Sequence, residues 1–154
     1  MPLLSLLLLF AFVGLLNQDS LMNAMTEMAS LVDDSTSVGA SSGLEYGSHV
    51  STMVLQHTDL MLRWCALTLC LRESSSGLMH LLLLLSKIFE KIRSSGSQLQ
   101  EGEIVTVIPA LIDKCGHKSE RHKAAFKSLL LAARYIIPVN KFCQLLLQVC
   151  LRKG

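Results

Sequence analysis

Cys115, His117 and His122 form the densest grouping of metal-capable side chains in this 154-residue sequence. Zinc would ask for four ligands in a tetrahedron, and one cysteine with two histidines leaves that set incomplete. The other cysteines, Cys65, Cys70, Cys143 and Cys150, show no CxxC spacing, and His49, His57 and His80 are scattered. The five cysteines lie inside apolar helical patterns, so they are expected to be small buried hydrophobes of a reducing compartment. Serine, histidine and aspartate are present, but without a strained elbow, a glycine-rich phosphate cradle or paired carboxylates. These residue types point to no enzyme, no metal and no cofactor.

A binding role then has to come from the surface, and charge is the first guide. Residues 1–62 contain six acidic and no basic side chains, a net −6, whereas residues 113–154 carry nine basic against two acidic, a net +7. The basic end suits an acidic partner surface or stands as a solvated helix face. Lysine and arginine without interleaved aromatics disfavour single-stranded nucleic acid, which is read by base stacking.

The elements that position these residues follow from period and punctuation. Hydrophobic residues make up 51% of the chain and aromatics 5%, with leucine and methionine abundant, which favours an all-α domain. A helix from about Leu3 to Leu15 meets a polar corner at Asn17–Ser20, and a second helix follows from about Ser20 to Val32. The apolar N-terminal run lacks a basic n-region and a small-x-small cleavage site, and it is short of the roughly 20 residues of a spanning helix. It is expected to be a buried helix of a soluble, cytoplasmic protein without a membrane span. Residues 33–48, rich in serine and glycine, are expected to form a flexible loop.

The segment from Asp59 to Ile92, DLMLRWCALTLCLRESSSGLMHLLLLLSKIFEKI, reads as two apolar-striped helices around a short polar corner. The first extends from about His49 to Leu71 and the second from about Ser76 to Arg93, with the corner at Arg72, Glu73, Ser74, Ser75 and Ser76. Leu78, Leu81, Leu82, Leu85, Phe89 and Ile92 share one face at spacings of three and four. Lys87, Glu90, Lys91 and Arg93 are placed on the opposite, solvated side. Trp64 sits among apolar helical neighbours and is expected in the core.

A fifth helix, about Glu101 to Cys115, carries Ile104, Ile108, Leu111, Ile112 and Cys115 on one stripe and is expected to kink at Pro109. Gly116 suits a left-handed position past its end, and Lys118 or Ser119 opens a sixth helix, about Glu120 to Ile136. That helix buries Phe126, Leu129, Leu130, Ala133 and Ile137, and turns Glu120, Lys123, Lys127 and Arg134 outward. After Pro138 a seventh helix, about Val139 to Leu151, buries Phe142, Leu145, Leu146 and Val149.

Three helix pairs and a further helix, with units near 1–33, 48–94, 100–137 and 138–154, predict an α-solenoid of HEAT-like hairpins in one domain over 1–154. Pairs of about 35 to 50 residues lie near the roughly 40 to 47 of HEAT-type repeats. Such units bury their faces only by stacking, and their functional residues collect in the corners.

The ordered series DLMLRW, LCLRESSSGLMHLLLLLSKIFEKI and GEIVTVIPALIDKCGHKSERHKAAFKSLL resembles the fourth-type TOG domain of the large TOG-array microtubule polymerases. The resemblance spans about Leu15 to Arg152 and is strongest from Asp59 to Leu130. It implies an armadillo-like helical fold that binds tubulin through the edge formed by the intra-repeat corners, in a cytoskeletal, spindle-organising role. Carried over by position, the contacts are Asn17 and Gln18 in the first corner, Arg72, Glu73, Ser74 and Ser75 in the second, and His117, Lys118, Arg121 and Lys123 in the third. Arg152 and Lys153 would open a fourth. The family's tryptophan anchor is missing from the first corner. The domains of the family also hold more repeats than this chain, so it is expected to be a fragment of a larger TOG-array protein whose further repeats are its neighbours. The competing class is a general HEAT-like scaffold or adaptor that binds another protein through its basic face.

Overall fold

A computed structural model describes residues 23, 25–30, 56–71 and 75–153. The sequence expectations for the first helix, the corner at Asn17–Ser20 and the loop 33–48 lie outside the described residues. Among the described residues the chain is all-helical. Helical residues 25–30 are followed by α1 (Thr58–Leu71), α2 (Ser75–Ser94), α3 (Glu101–Lys114), α4 (Glu120–Ala133) and α5 (Val139–Lys153).

The helices form two layers. α1 packs on α3 and α3 on α5, while α2 packs on α4; within pairs, α1 touches α2 and α3 touches α4. This is the stacking of helical hairpins into an α-solenoid. One continuous core runs from Met25 and Met28 through α1 to α4 and ends at Ile136 and Ile137, with Phe142 and Leu145 of α5 packed on it half-buried. Leu62, Leu85, Ile108 and Phe126 are among the fully buried side chains at its centre.

The stripe expected on α2 is buried throughout, but the burial arc is wider than that stripe. Leu84, Ile88 and Lys91, at spacings of four and three, are buried as well. α2 lies against both α1 and α4, so about half of its circumference is covered. Lys91 is thus not on the solvated side, and burial lowers its pKa. Trp64 is in the core as expected, although its indole N–H meets no acceptor among the described residues.

Local chemistry explains where the helices stop. At the end of α2 the Ser97 N–H donates to the Ile92 carbonyl (3.2 Å) and the Gly96 N–H to that of Arg93 (3.1 Å), the paired bonds of a Schellman motif. Gly96 supplies the required left-handed conformation at φ 68°. The expectation for Gly116 is corrected: it has no positive φ, and α3 ends on Cys115 at φ −61°, whose N–H reaches back to Ile112 in a tight right-handed turn. At the start of α3 the Gln100 N–H donates to Glu103 Oε2 at 2.7 Å, the reciprocal half of a capping box. α3 then continues through Pro109 to Lys114.

Two helix ends also differ from the periodic reading. α4 stops at Ala133 because the Tyr135 and Ile136 N–H groups turn back to the carbonyls of Ala132 and Ala133, which drops Ile136 and Ile137 into the core. The chain turns at His57 before α1, so helix is not continuous through that residue. α5 buries Val149 but leaves Phe142, Leu145 and Leu146 half-buried, since α3 is the neighbour it packs on. None of the described helices is long and apolar enough to cross a membrane.

The cysteines are corrected as a group. All five are free, yet Cys65 alone is buried; Cys115 is half-buried, and Cys70, Cys143 and Cys150 are exposed. A cysteine inside an apolar run does not occupy the covered face when the helix has neighbours on one side.

Candidate functional site: the corner edge

Contacts between the linkers fix how the hairpins are oriented. The Leu99 N–H, between α2 and α3, donates to the Ile136 carbonyl, between α4 and α5, at 2.9 Å. Arg93 at the end of α2 lies over the Tyr135 ring just past α4, 4.9 Å from its centroid, and Arg134 lies 4.6 Å from the same centroid. Glu101 at the start of α3 pairs with Lys141 at the start of α5 at 2.6 Å. The ends of α2 and α4 therefore lie together, as do the starts of α3 and α5, and the hairpins stack in parallel. One edge of the solenoid carries these linkers.

The corners consequently share the other edge, where α1 ends and α2 begins, where α3 turns into α4, and where α5 ends. His117, Lys118, Arg121 and Lys123 come together in the α3–α4 corner, and Arg152 and Lys153 reach the same edge because α5 runs parallel to α3. They are helical, in the last turn of α5, rather than the opening of a new corner. Ser75 is likewise the first residue of α2 rather than part of a corner. Asn17, Gln18, Arg72, Glu73 and Ser74 lie outside the described residues.

The α3–α4 corner is built from short-range bonds. The His117 N–H donates to Lys114 O (3.0 Å), and His117 Nδ1 accepts the Ser119 N–H (3.1 Å), which satisfies a backbone donor at the entrance of α4. Ser119 is the extended N-cap residue, and its carbonyl accepts the Lys123 N–H at 3.0 Å. The His117 ring rests on buried His122, with centroids 4.8 Å apart. His117 is thereby held in place, while Lys118 and Arg121 are exposed.

Sequence reasoning missed two features here. Lys123 pairs with Glu120 at 2.9 Å, and the Lys123 hydrogen bond and then its charge hold the Glu120 carboxyl below its ordinary pKa. The i, i+3 spacing of the two residues was the available signal. Lys123 is therefore partly neutralised, and Lys118 and Arg121 are the more available cations of the corner. The second feature is buried His122 beneath His117, which sequence spacing does not reveal because burial depends on α4's packing. Among the described residues no group of three His, Cys, Asp or Glu side chains is arranged to hold a metal.

No protein-family model matches the chain. In sequence it is similar to Protein MOR1 of Arabidopsis thaliana, 27% identical over 81 residues, which is 53% of this chain and 4% of that protein. Protein MOR1 of Oryza sativa subsp. japonica is 27% identical over 77 residues, 50% of this chain and 4% of the relative. In structure it is similar to the TOG domain of Zyg9 from C. elegans, with a TM-score of 0.64 and 19% identity over 83% of this chain and 43% of the other. A second solved structure, from work on TOG–tubulin binding specificity in microtubule dynamics and mitotic spindle formation, gives a TM-score of 0.55 and 18% identity over 86% and 55% of the two chains. The hairpin stack with its corners on one edge has the fold of TOG domains.

Proposed function

We propose that this chain is a non-enzymatic tubulin-binding module of microtubule organisation, acting at the cytoskeleton alongside further TOG repeats. The observation that supports the reading is the corner edge: Lys118 and Arg121 are exposed in the α3–α4 corner, and Arg152 is exposed in the last turn of α5. Tubulin is acidic, so these cations supply steering and charge-assisted hydrogen bonds. Similarity to MOR1 and to a structure concerned with TOG–tubulin binding supports the same reading.

The test is co-elution with tubulin of the chain carrying Lys118→Glu and Arg121→Glu. Binding is expected to weaken by about tenfold or more, with helicity unchanged by circular dichroism. Co-elution equal to that of the unmodified chain would remove the corner edge from the proposal. Capture of RNA in place of tubulin, lost at raised salt, would replace it with a nucleic-acid-binding reading of the basic face.

A further inference from the structure

Hydrogen-bond donors outnumber acceptors where the end of α2 meets the end of α4. Arg93 and Arg134 lie 4.9 and 4.6 Å from the centroid of the same Tyr135 ring, so two guanidinium cations share one phenol. Arg134 Nη2 also donates to the Tyr135 hydroxyl oxygen, which leaves that hydroxyl its own proton to donate. Arginine has no acceptor atom and keeps its charge throughout the physiological pH range. Among the described residues Glu90 is the one carboxylate paired with this cluster, 3.9 Å from Arg93 and 69% exposed. The group therefore sets two positive charges against one loosely held negative charge.

The backbone beneath holds these side chains ready. The Tyr135 N–H donates to the Ala132 carbonyl at 3.1 Å, the neighbouring Ile136 is buried, and the Ile136 carbonyl accepts the Leu99 N–H at 2.9 Å. Tyr135 is 55% exposed above that support, with Arg93 and Arg134 exposed beside it. Tyrosine and arginine are enriched among the residues that dominate binding, and groups already held in place lose less freedom on association. A carboxylate meets the guanidinium fork with two parallel bonds, and a second carboxylate on the same chain can serve the other arginine. A nucleobase would need a free aromatic face, and the guanidinium groups already lie over this ring. We infer that Arg93, Arg134 and Tyr135 form a docking site for a carboxylate-rich segment of an acidic partner protein. The site lies the length of α4, about 20 Å, from the α3–α4 corner.

Fluorescence anisotropy of a labelled ten-residue polyglutamate peptide, titrated with the full chain at about 0.15 M salt, tests this without tubulin. Arg93→Ala with Arg134→Ala is expected to weaken binding by about tenfold or more, and Tyr135→Phe by about threefold through the lost O–H donor. Replacing both arginines with lysine should not restore the affinity, because an ammonium lacks the planar fork. Lys118→Glu with Arg121→Glu should leave it within about twofold, since screening separates charges so far apart. Should the alanine variant lose helicity by circular dichroism, Glu90→Gln removes the competing carboxylate and is expected to tighten binding by about twofold. An unmodified chain that does not bind, a folded alanine variant that binds equally well, an equal loss in the corner variant, no gain on Glu90→Gln, or tighter binding of a ten-residue oligouridine would each overturn the inference.

Discussion

The Leu99 N–H donates to the Ile136 carbonyl at 2.9 Å, across 37 residues of sequence, and this single backbone bond joins the two inter-repeat linkers. It matters because Leu99 and Ile136 are both buried, so the linkers are part of the core rather than connectors laid over it. A buried backbone donor without its acceptor costs free energy comparable to a lost hydrogen bond. The bond therefore fixes the register of one hairpin on the next.

The Leu99 amide should accordingly exchange with solvent as slowly as amides inside α3, although it lies outside any helix. Hydrogen exchange followed by residue-resolved mass spectrometry or NMR would check this. Exchange as fast as that of Ser97 or Gln98 would mean that the linkers do not hold the repeats together.

Two glycines are expected to answer differently to the same substitution. At Gly96 an added Cβ meets nothing within 4 Å, so the cost of Gly96→Ala is conformational: φ 68° is the left-handed region. The expected loss is about 1 kcal/mol, read from the denaturant midpoint. Gly116 has equal space and no positive φ, so Gly116→Ala should be neutral or stabilising by about 0.5 kcal/mol through the lower entropy of the unfolded chain.

Acid should loosen the contact between α3 and α5. The hydrogen bond from Lys141, and then its charge, hold the Glu101 carboxyl below its ordinary pKa. A carboxyl whose folded pKa is depressed stabilises the fold above its unfolded value and loses that contribution as pH falls. The melting temperature of the unmodified chain should thus exceed that of Glu101→Gln at neutral pH, and the two should converge from about pH 4.5 downward. Both groups are exposed to solvent, so the difference should be small and should shrink in high salt.

Thiol chemistry should divide the cysteines by burial. Burial pushes the Cys65 thiol far above its ordinary pKa, and the residue is 0% exposed. Cys70, Cys143 and Cys150 are exposed. Maleimide labelling of the native chain should modify these three rapidly and spare Cys65 until denaturant is added, as peptide mass spectrometry would show. Rapid labelling of Cys65 would mean that α1 opens readily from the stack.

Much of the helical architecture was legible in the residues. Leu78, Leu81, Leu82, Leu85, Phe89 and Ile92 mark the covered face of α2 by spacing alone, and Phe126, Leu129 and Ala133 do so for α4. The boundary of α2 was readable to within a residue because serines and a glycine follow it. Lys91, Leu84 and Ile88 were not legible as a buried set, since a period shows one stripe and not how many helices press on it. Gly96 and Gly116 each follow the end of a helix, so position in the chain does not say which of them is left-handed. Only the hydrogen bonds of Ser97 and Gly96 separate the two. For the candidate site, the basic character of the α3–α4 corner was readable, whereas the weakening of Lys123 by Glu120 required side-chain geometry.

By itself the sequence determined an all-helical chain of hairpins, the faces those helices cover, and the opposed charges of its two ends, because period, composition and charge are local properties of a chain. Tertiary structure alone decided that α2 is pressed from two sides and buries Lys91, that buried His122 lies beneath His117, and that Gly96 rather than Gly116 takes the left-handed turn. Those outcomes depend on which helix lies beside which, and on single contacts such as Leu99 to Ile136 and Glu101 to Lys141 that join residues far apart in the chain.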